Sequence, residues 1–298
     1  MKIIQKLILL KENVGGKHMS NDKNIITKTN DGYVVEIFAK TKKEIEKDIT
    51  EIAEGISILD VKQNKTEEEQ FLIYKEIVEK MEYNPVVMET CEKTKDENVL
   101  KTQLKAMLRA SKEGDLSIAF PKISSVIELR EYKEALEECK RELEKEDKPY
   151  RKNIKIGTIV EIPSVALMSY EIARECDFLF IDTNSLTKYV FGNKEKLPDL
   201  YTKFQPAVIK LVQQAIEGAH DAGIYCGICG DVIENELYMP LLIGLGLDQF
   251  SLETKNIQSA RKAINELDKY DCKMLVEEIS QLRTLEDIEK KLKQFKKD

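Results

Sequence analysis

Ile154-Lys-Ile-Gly-Thr-Ile-Val-Glu-Ile-Pro163 is the longest of a series of short runs rich in Val, Ile or Phe. β-Branched side chains suit a pleated sheet, and a proline closes the run because it cannot donate to a ladder. Four similar runs precede it, at Val34–Ala39, Gly55–Leu59, Pro85–Thr90 and Leu116–Pro121. Three follow, at Phe178–Thr183, Ile224–Gly230 and Leu247–Leu252. The segments between them carry helical spacing. Thr66-Glu-Glu-Glu-Gln70 offers an N-cap followed by an acidic first turn, where negative charge meets the positive end of the helix dipole. Ser124–Glu144 and Gln205–Ala222 read as further amphipathic helices. Alternation of this kind predicts an α/β fold, a (β/α)8 TIM barrel with extra C-terminal helices; an open doubly wound sheet is the alternative. Past Glu253 a helical signal covers Ile257–Leu267 and continues through Met274–Phe295 into a basic, solvated end.

Composition narrows the function. The 298 residues carry a net charge of −7, no tryptophan and 7% aromatics, with no concentrated basic face. That argues against a nucleic-acid binder. Six scattered cysteines predict reduced thiols in a cytoplasmic protein rather than a disulfide framework. The apolar run Leu7–Leu10 is too short to span a bilayer, so no membrane association is expected. Gly15-Gly16 lies just before Met19, and two glycine codons can spell a bacterial ribosome-binding sequence. Residues 1–18 are therefore expected to be an upstream extension or disordered, and residues 19–298 a single barrel domain.

In such a barrel, chemistry gathers where strands end. The expected ends present Glu89, Pro121, Glu161, Asp182-Thr-Asn184-Ser185, Cys229 and Glu253. Convergent oxygen atoms suit a hard divalent cation, with Glu161 the strongest ligand candidate and a solvated rim carboxylate the alternative. Cys226-Gly-Ile-Cys229 has the spacing of a redox pair or half a zinc site. With only His18 and His220 available and no second such pair, a structural zinc is not expected. His220, at a helix end, reads as a cap that compensates the dipole.

Three stretches carry a resemblance. They are Lys155–Ala166 (KIGTIVEIPSVA), Asp182–Tyr189 (DTNSLTKY) and Gly227–Gly230 (GICG). They resemble signatures of the phosphoenolpyruvate (PEP)-utilising enzymes, above all the C-terminal PEP-binding half of the PEP–protein phosphotransferases of the sugar phosphotransferase system. Thr66–Gln70, Gln103–Ser111 and Gly244–Ser251 extend the likeness in order along most of the chain. The resemblance implies a (β/α)8 barrel, Mg2+, PEP as substrate and a homodimer. It would make Glu161 a Mg2+ ligand, Asn184 a phosphate contact, Ser185 its neighbour at the substrate, and Cys229 the acid that protonates the methylene carbon.

The departures from that pattern are specific. Ser185 stands where the family's second metal carboxylate is expected, and Glu89 where an arginine closes the third strand. The arginines expected in Gly55–Asp60, between Thr90 and Val99, and in Val190–Lys196 are missing. Each charge-assisted contact to a phosphate contributes about 1.5–3 kcal/mol, so the loss weakens PEP binding by several powers of ten. The sequence also contains no Thr-Ser-His segment of a swivelling phosphohistidine domain. The expectation is a catalytically degenerate barrel. The alternatives are phosphoryl transfer from PEP with a separate histidine protein, or lyase-type chemistry on a small oxo-acid. Lys40, Lys122 and Lys188 are the cations that could replace the arginines, and Leu237–Leu247 is the stretch that could form a dimer contact.

Overall fold

The computed structural model describes residues 65–81, 85–93, 96–192, 204–252 and 256–296, together with the backbone of 34–38, 56–59 and Glu253. The first eighteen residues, Met19, Lys40 and most of the Val190–Lys196 stretch lie outside the described residues.

All eight expected runs form strands: β1 (Val34–Phe38), β2 (Ile56–Leu59), β3 (Val86–Glu89), β4 (Leu116–Phe120), β5 (Lys155–Val160), β6 (Phe178–Asp182), β7 (Tyr225–Cys229) and β8 (Gln249–Glu253). They make one parallel sheet in the order β1-β8-β7-β6-β5-β4-β3-β2. β1 pairs with β8, joining the first strand to the last, as a curling sheet requires. Among the described residues no ladder joins β1 to β2, so the pairing stops one seam short of a closed eight-fold ring.

Helices follow the strands because their caps and apolar stripes are written locally. α1 (Glu67–Lys80) begins at Thr66 with a capping box: Thr66 Oγ1 accepts from Glu69 N, and Glu69 accepts from Thr66 N at 2.9 Å. α2 (Glu97–Ala110) is capped by Asp96 and α3 (Val126–Lys145) by Ser125. After β5 come two short helices, α4 (Pro163–Leu167) and α5 (Ser169–Ala173), and after β6 comes α6 (Thr183–Phe191). α7 (Pro206–Asp221) buries Val208, Ile209, Val212 and Ile216. Two 3-10 turns at Asp231–Glu234 and Glu236–Tyr238 lead into α8 (Met239–Gly244).

The C-terminal region corrects one expectation. The helical signal from Ile257 is three helices: α9 (Ile257–Asn265), α10 (Lys269–Ser280) and α11 (Leu285–Phe295). Asp268 accepts from Tyr270 N and Asp271 N, and Thr284 accepts from Asp287 N, so each break carries its own N-cap.

The register sorts the strands into two faces, because side chains alternate along each strand and partners in a parallel ladder share a side. One face holds Met88, Ile118, Phe120, Val160, Ile181 and Phe250, all buried. It is apolar and meets the apolar stripes of the helices. The opposite face holds Glu89, Asp182, Cys229, Gln249 and Ser251. This is the interior of the curl, lined on one side by Phe178 and Phe180. Their rings lie over Gly157 and Gly227, where a Cβ would collide with them.

Candidate functional site at the strand ends

The expected rim residues do converge at the C-terminal ends of neighbouring strands. Glu89 ends β3 and is buried, as is Glu161 just past β5. Glu161 is held in place: its Oε2 accepts from Lys122 N at 2.6 Å. Lys122 adopts φ 49°, a left-handed conformation uncommon outside glycine, which turns its amide toward that carboxylate. The Lys122 ammonium is 2.5 Å from Glu92. It is thus the partner of a neighbouring carboxylate, and Lys188 is exposed on α6.

The end of β6 is tied down by several hydrogen bonds. Asp182 caps α6, its Oδ1 accepting from Asn184 N at 2.9 Å and from Ser185 N at 3.3 Å. Ser185 Oγ donates to Asp182 Oδ2 at 2.8 Å. The Ser185 hydroxyl therefore spends its proton on a carboxylate three residues earlier. Asn184 Oδ1 accepts from Asp231 N at 3.0 Å, which leaves the amide's two N–H donors for an anion. Thr183 Oγ1 donates to Cys229 O at 2.9 Å and ties the ends of β6 and β7 together. Gly230 follows at φ 121°, and a Cβ there would collide with Thr183 Oγ1. The chain needs glycine at this crossing.

Cys229 lies on the interior face in register with Asp182, and it is buried. Cys226 lies on the opposite face, and its thiol is pushed well up by burial. Residues three apart on a strand sit about 10 Å apart, beyond the roughly 7 Å that a disulfide can bridge. The C-x-x-C spacing is thus strand geometry, and neither cysteine is in a disulfide. Among the described residues, no three His, Cys, Asp or Glu side chains cluster around a metal position. His220, in the last turn of α7 as expected, pairs with Asp248 at 2.8 Å, and that hydrogen bond raises its pKa.

Arg109 pairs with Glu67 and Glu68, Arg130 with Glu175, and Arg151 with Asp115. Arg141, Arg174 and Arg283 are exposed, and Arg261, in α9 just after β8, is half-buried with two of its guanidinium nitrogens out of solvent. Sequence reasoning placed Asp182 on the rim but missed its bond to Ser185. The signal was the Asp-x-Asn-Ser order itself, an N-cap with donors two and three residues on.

No helix among the described residues is long and apolar enough to cross a membrane. Several solved structures share the fold. A citrate lyase from Burkholderia xenovorans LB400 covers 89% of this chain and 89% of its own, with a TM-score of 0.60 and 14% identity. A malate synthase from Haloferax volcanii covers 68% of this chain and 61% of its own, at 0.50 and 12%. Sequence relatives are nearer. The phosphoenolpyruvate-protein phosphotransferase of Priestia megaterium is 35% identical over 75% of this chain and 44% of its own length. That of Haemophilus influenzae is 32% identical over 90% of this chain and 53% of its own. The chain thus spans about half the length of the curated relatives it matches. Residues 91–269 match the pattern of the PEP-binding domain of PEP-utilising enzymes, and the chain belongs to that family.

Proposed function

We propose that this chain is a PEP-utilising-type barrel, its sheet closed between β1 and β2, that keeps the acid, amide and thiol positions of the mouth without the cations that grip PEP. The reading rests on one observation: the described rim presents buried Glu89 and Glu161, while Arg109, Arg130 and Arg151 are engaged in ion pairs elsewhere. An anionic three-carbon phosphate meets more negative than positive charge there, and each missing guanidinium removes a fork suited to phosphate or carboxylate. The standard phosphotransfer is therefore degenerate in this chain. A reducing cytoplasm fits its free thiols.

The donor chemistry still suits Mg2+. Mg2+ binds through one or two carboxylates and keeps several waters, so it does not need a three-residue protein cluster. Glu161 would hold it, with Asp182 supplying the carboxylate that Ser185 lacks. Bound there, Mg2+ would supply positive charge to a carboxylate or oxo group of a small oxo-acid. The chain's own groups would do the rest. Asn184 would donate its amide protons to an anionic oxygen, and Cys229, buried beside it, would carry the proton for a carbon atom.

Calorimetric titration with PEP in the presence of Mg2+ tests the reading. The expected result is no saturable binding at sub-millimolar PEP. Sub-millimolar affinity that Glu161→Ala abolishes would overturn degeneracy and establish an active PEP site. Saturable binding of pyruvate without binding of PEP would move the assignment to oxo-acid chemistry.

A further inference from the structure

Past β3 the chain leaves the sheet, and side chains of two helices take over its amides. Thr90 N still donates to Ala119 O, on β4, at 3.0 Å. Cys91 N then donates to Gln103 Oε1 of α2 at 2.6 Å, and Lys93 N to Tyr132 Oη of α3 at 2.6 Å. Gln103 and Tyr132 are both buried, and so are Gln70 and Tyr74 on α1. Those two complete a relay that runs one way. Gln103 Nε2 donates to Tyr74 Oη at 3.1 Å, Tyr74 Oη to Gln70 Oε1 at 3.4 Å, and Gln70 Nε2 to Lys65 O at 2.9 Å. Each side chain in it is donor and acceptor at once, an order in which every bond polarises the next. The relay ties the chain just before α1 to the chain just after β3, and both are segments of the rim. Leaving any of these buried groups unpaired is costly, so the β3 exit is confined to the place where all are satisfied.

Glu92, between the two clamped amides, pairs with the Lys122 ammonium, and Lys122 N donates to Glu161 Oε2. The Tyr132 ring also packs against Phe120, the last residue of β4, with the ring centroids 5.1 Å apart. Tyr132 therefore touches the exits of β3 and β4 together, and the second exit carries the amide that holds Glu161. We propose that Tyr132, with Gln103 anchoring the β3 exit from the other side, is a positioning residue for the Glu161 carboxylate. It acts through Lys93, Glu92 and Lys122. What that position serves rests on Glu161 being the cation holder proposed above; the bonds that set it are the chain's own.

Amide hydrogen exchange, read residue by residue by NMR on the whole protein, tests this, because the Lys122 amide reports its own bond to Glu161. Tyr132→Phe keeps the ring against Phe120 and deletes only the oxygen. It is expected to speed exchange at Lys122 at least tenfold and to leave Cys226 unchanged. The Cys226 amide is the control because it too donates to a carboxylate, that of Asp248 at 2.8 Å. Gln103→Met, similar in length but without the acceptor, should act in the same direction. Mn2+ affinity, measured by electron paramagnetic resonance, should fall at least threefold in both variants, although neither changes a charge. Unaltered exchange at Lys122 would overturn the proposal. So would exchange that rises equally at Cys226, the sign of a side chain that stabilises the whole fold and positions nothing. Unchanged Mn2+ affinity in Tyr132→Phe, where Glu161→Gln lowers it, would overturn it too. If Glu161→Gln leaves Mn2+ binding as it was, the cation reading falls, and exchange at Lys122 decides the positioning alone. Should Gln103→Met fail to fold, Tyr132→Phe decides by itself.

Discussion

Asp182 holds three donors at once, and two explanations of that arrangement make different predictions. Asn caps a helix about as well as Asp, so Asp182→Asn should leave stability within about 0.5 kcal/mol while removing the charge. If Asp182 is a helix cap alone, Mn2+ affinity measured by electron paramagnetic resonance stays constant in that variant. Paired with Glu161 around a cation, it should bind Mn2+ at least tenfold more weakly, as should Glu161→Gln. His220 offers a second test at this scale. It is one of two histidines in the chain, and its pKa is raised by the hydrogen bond to Asp248, which also accepts from Cys226 N at 2.8 Å. A histidine whose folded pKa is raised contributes its stabilisation fully below the unfolded value of about 6.5 and loses it as pH climbs through the folded value. Urea midpoints should therefore fall between about pH 6 and pH 8. His220→Gln should flatten most of that slope. At this scale the sequence disclosed identities better than roles. Glu161, Asn184 and Cys229 were visible on the rim; the bond that commits Ser185 to Asp182 had its signal in the local Asp-x-Asn-Ser order, but the one that commits Asn184 Oδ1 to Asp231 exists only once β6 and β7 are side by side.

Elements were legible where their physics is local. The eight strands came from β-branched runs, and α1 from an N-cap and acidic first turn that form as expected. The C-terminal helices were less so: the reading ended one segment at Leu267, close to the observed break at Asp268, but ran Met274–Phe295 through a second break, where the Thr284 side chain accepts from Asp287 N and starts α11. Polarity of the strand faces was hidden for another reason. In a strand buried on both sides, alternation reports which side is interior only after the register is known. Gly157 shows how tight that interior is. A methyl group there would strike the Phe178 ring and stand 2.5 Å from its carbonyl oxygen, so the ring cannot simply swing aside. Gly157→Ala should destabilise by about 1–3 kcal/mol through overpacking, read from the urea midpoint. It sits on the strand that presents Glu161, so Mn2+ affinity should fall with it. A neutral Gly157→Ala would mean that the β5–β6 seam is looser than the register implies.

For the whole molecule, the stretch expected to form a dimer contact is folded into the chain's own core. Leu237–Leu247 is that stretch: Leu241, Leu242 and Ile243 are fully or almost fully buried, and α8 packs against α10. A helix folded onto its own barrel and a helix at a dimer interface have the same apolar pattern, so sequence could not separate them. Of the exposed large apolar side chains, Leu167 and Met168 are 63% and 47% exposed at the end of α4, with Tyr170 on α5 and Tyr189 on α6, while Leu72, Ile127, Tyr270 and Met274 are exposed on other helices. α4, which ends at Leu167, contacts both α5 and α6. Large apolar groups gathered on one face mark an interaction surface more often than chance scatter does. If a second copy covers this region, light scattering after size exclusion should give a dimer mass, and Leu167→Glu with Met168→Glu should shift it to the monomer. Both side chains are exposed, so Tm measured under monomer conditions should stay within about 1 °C of the parent. A mass that is monomeric and independent of concentration would remove the dimer and assign the exposed face to a different partner. A dimer that survives both substitutions would place the contact outside α4–α6.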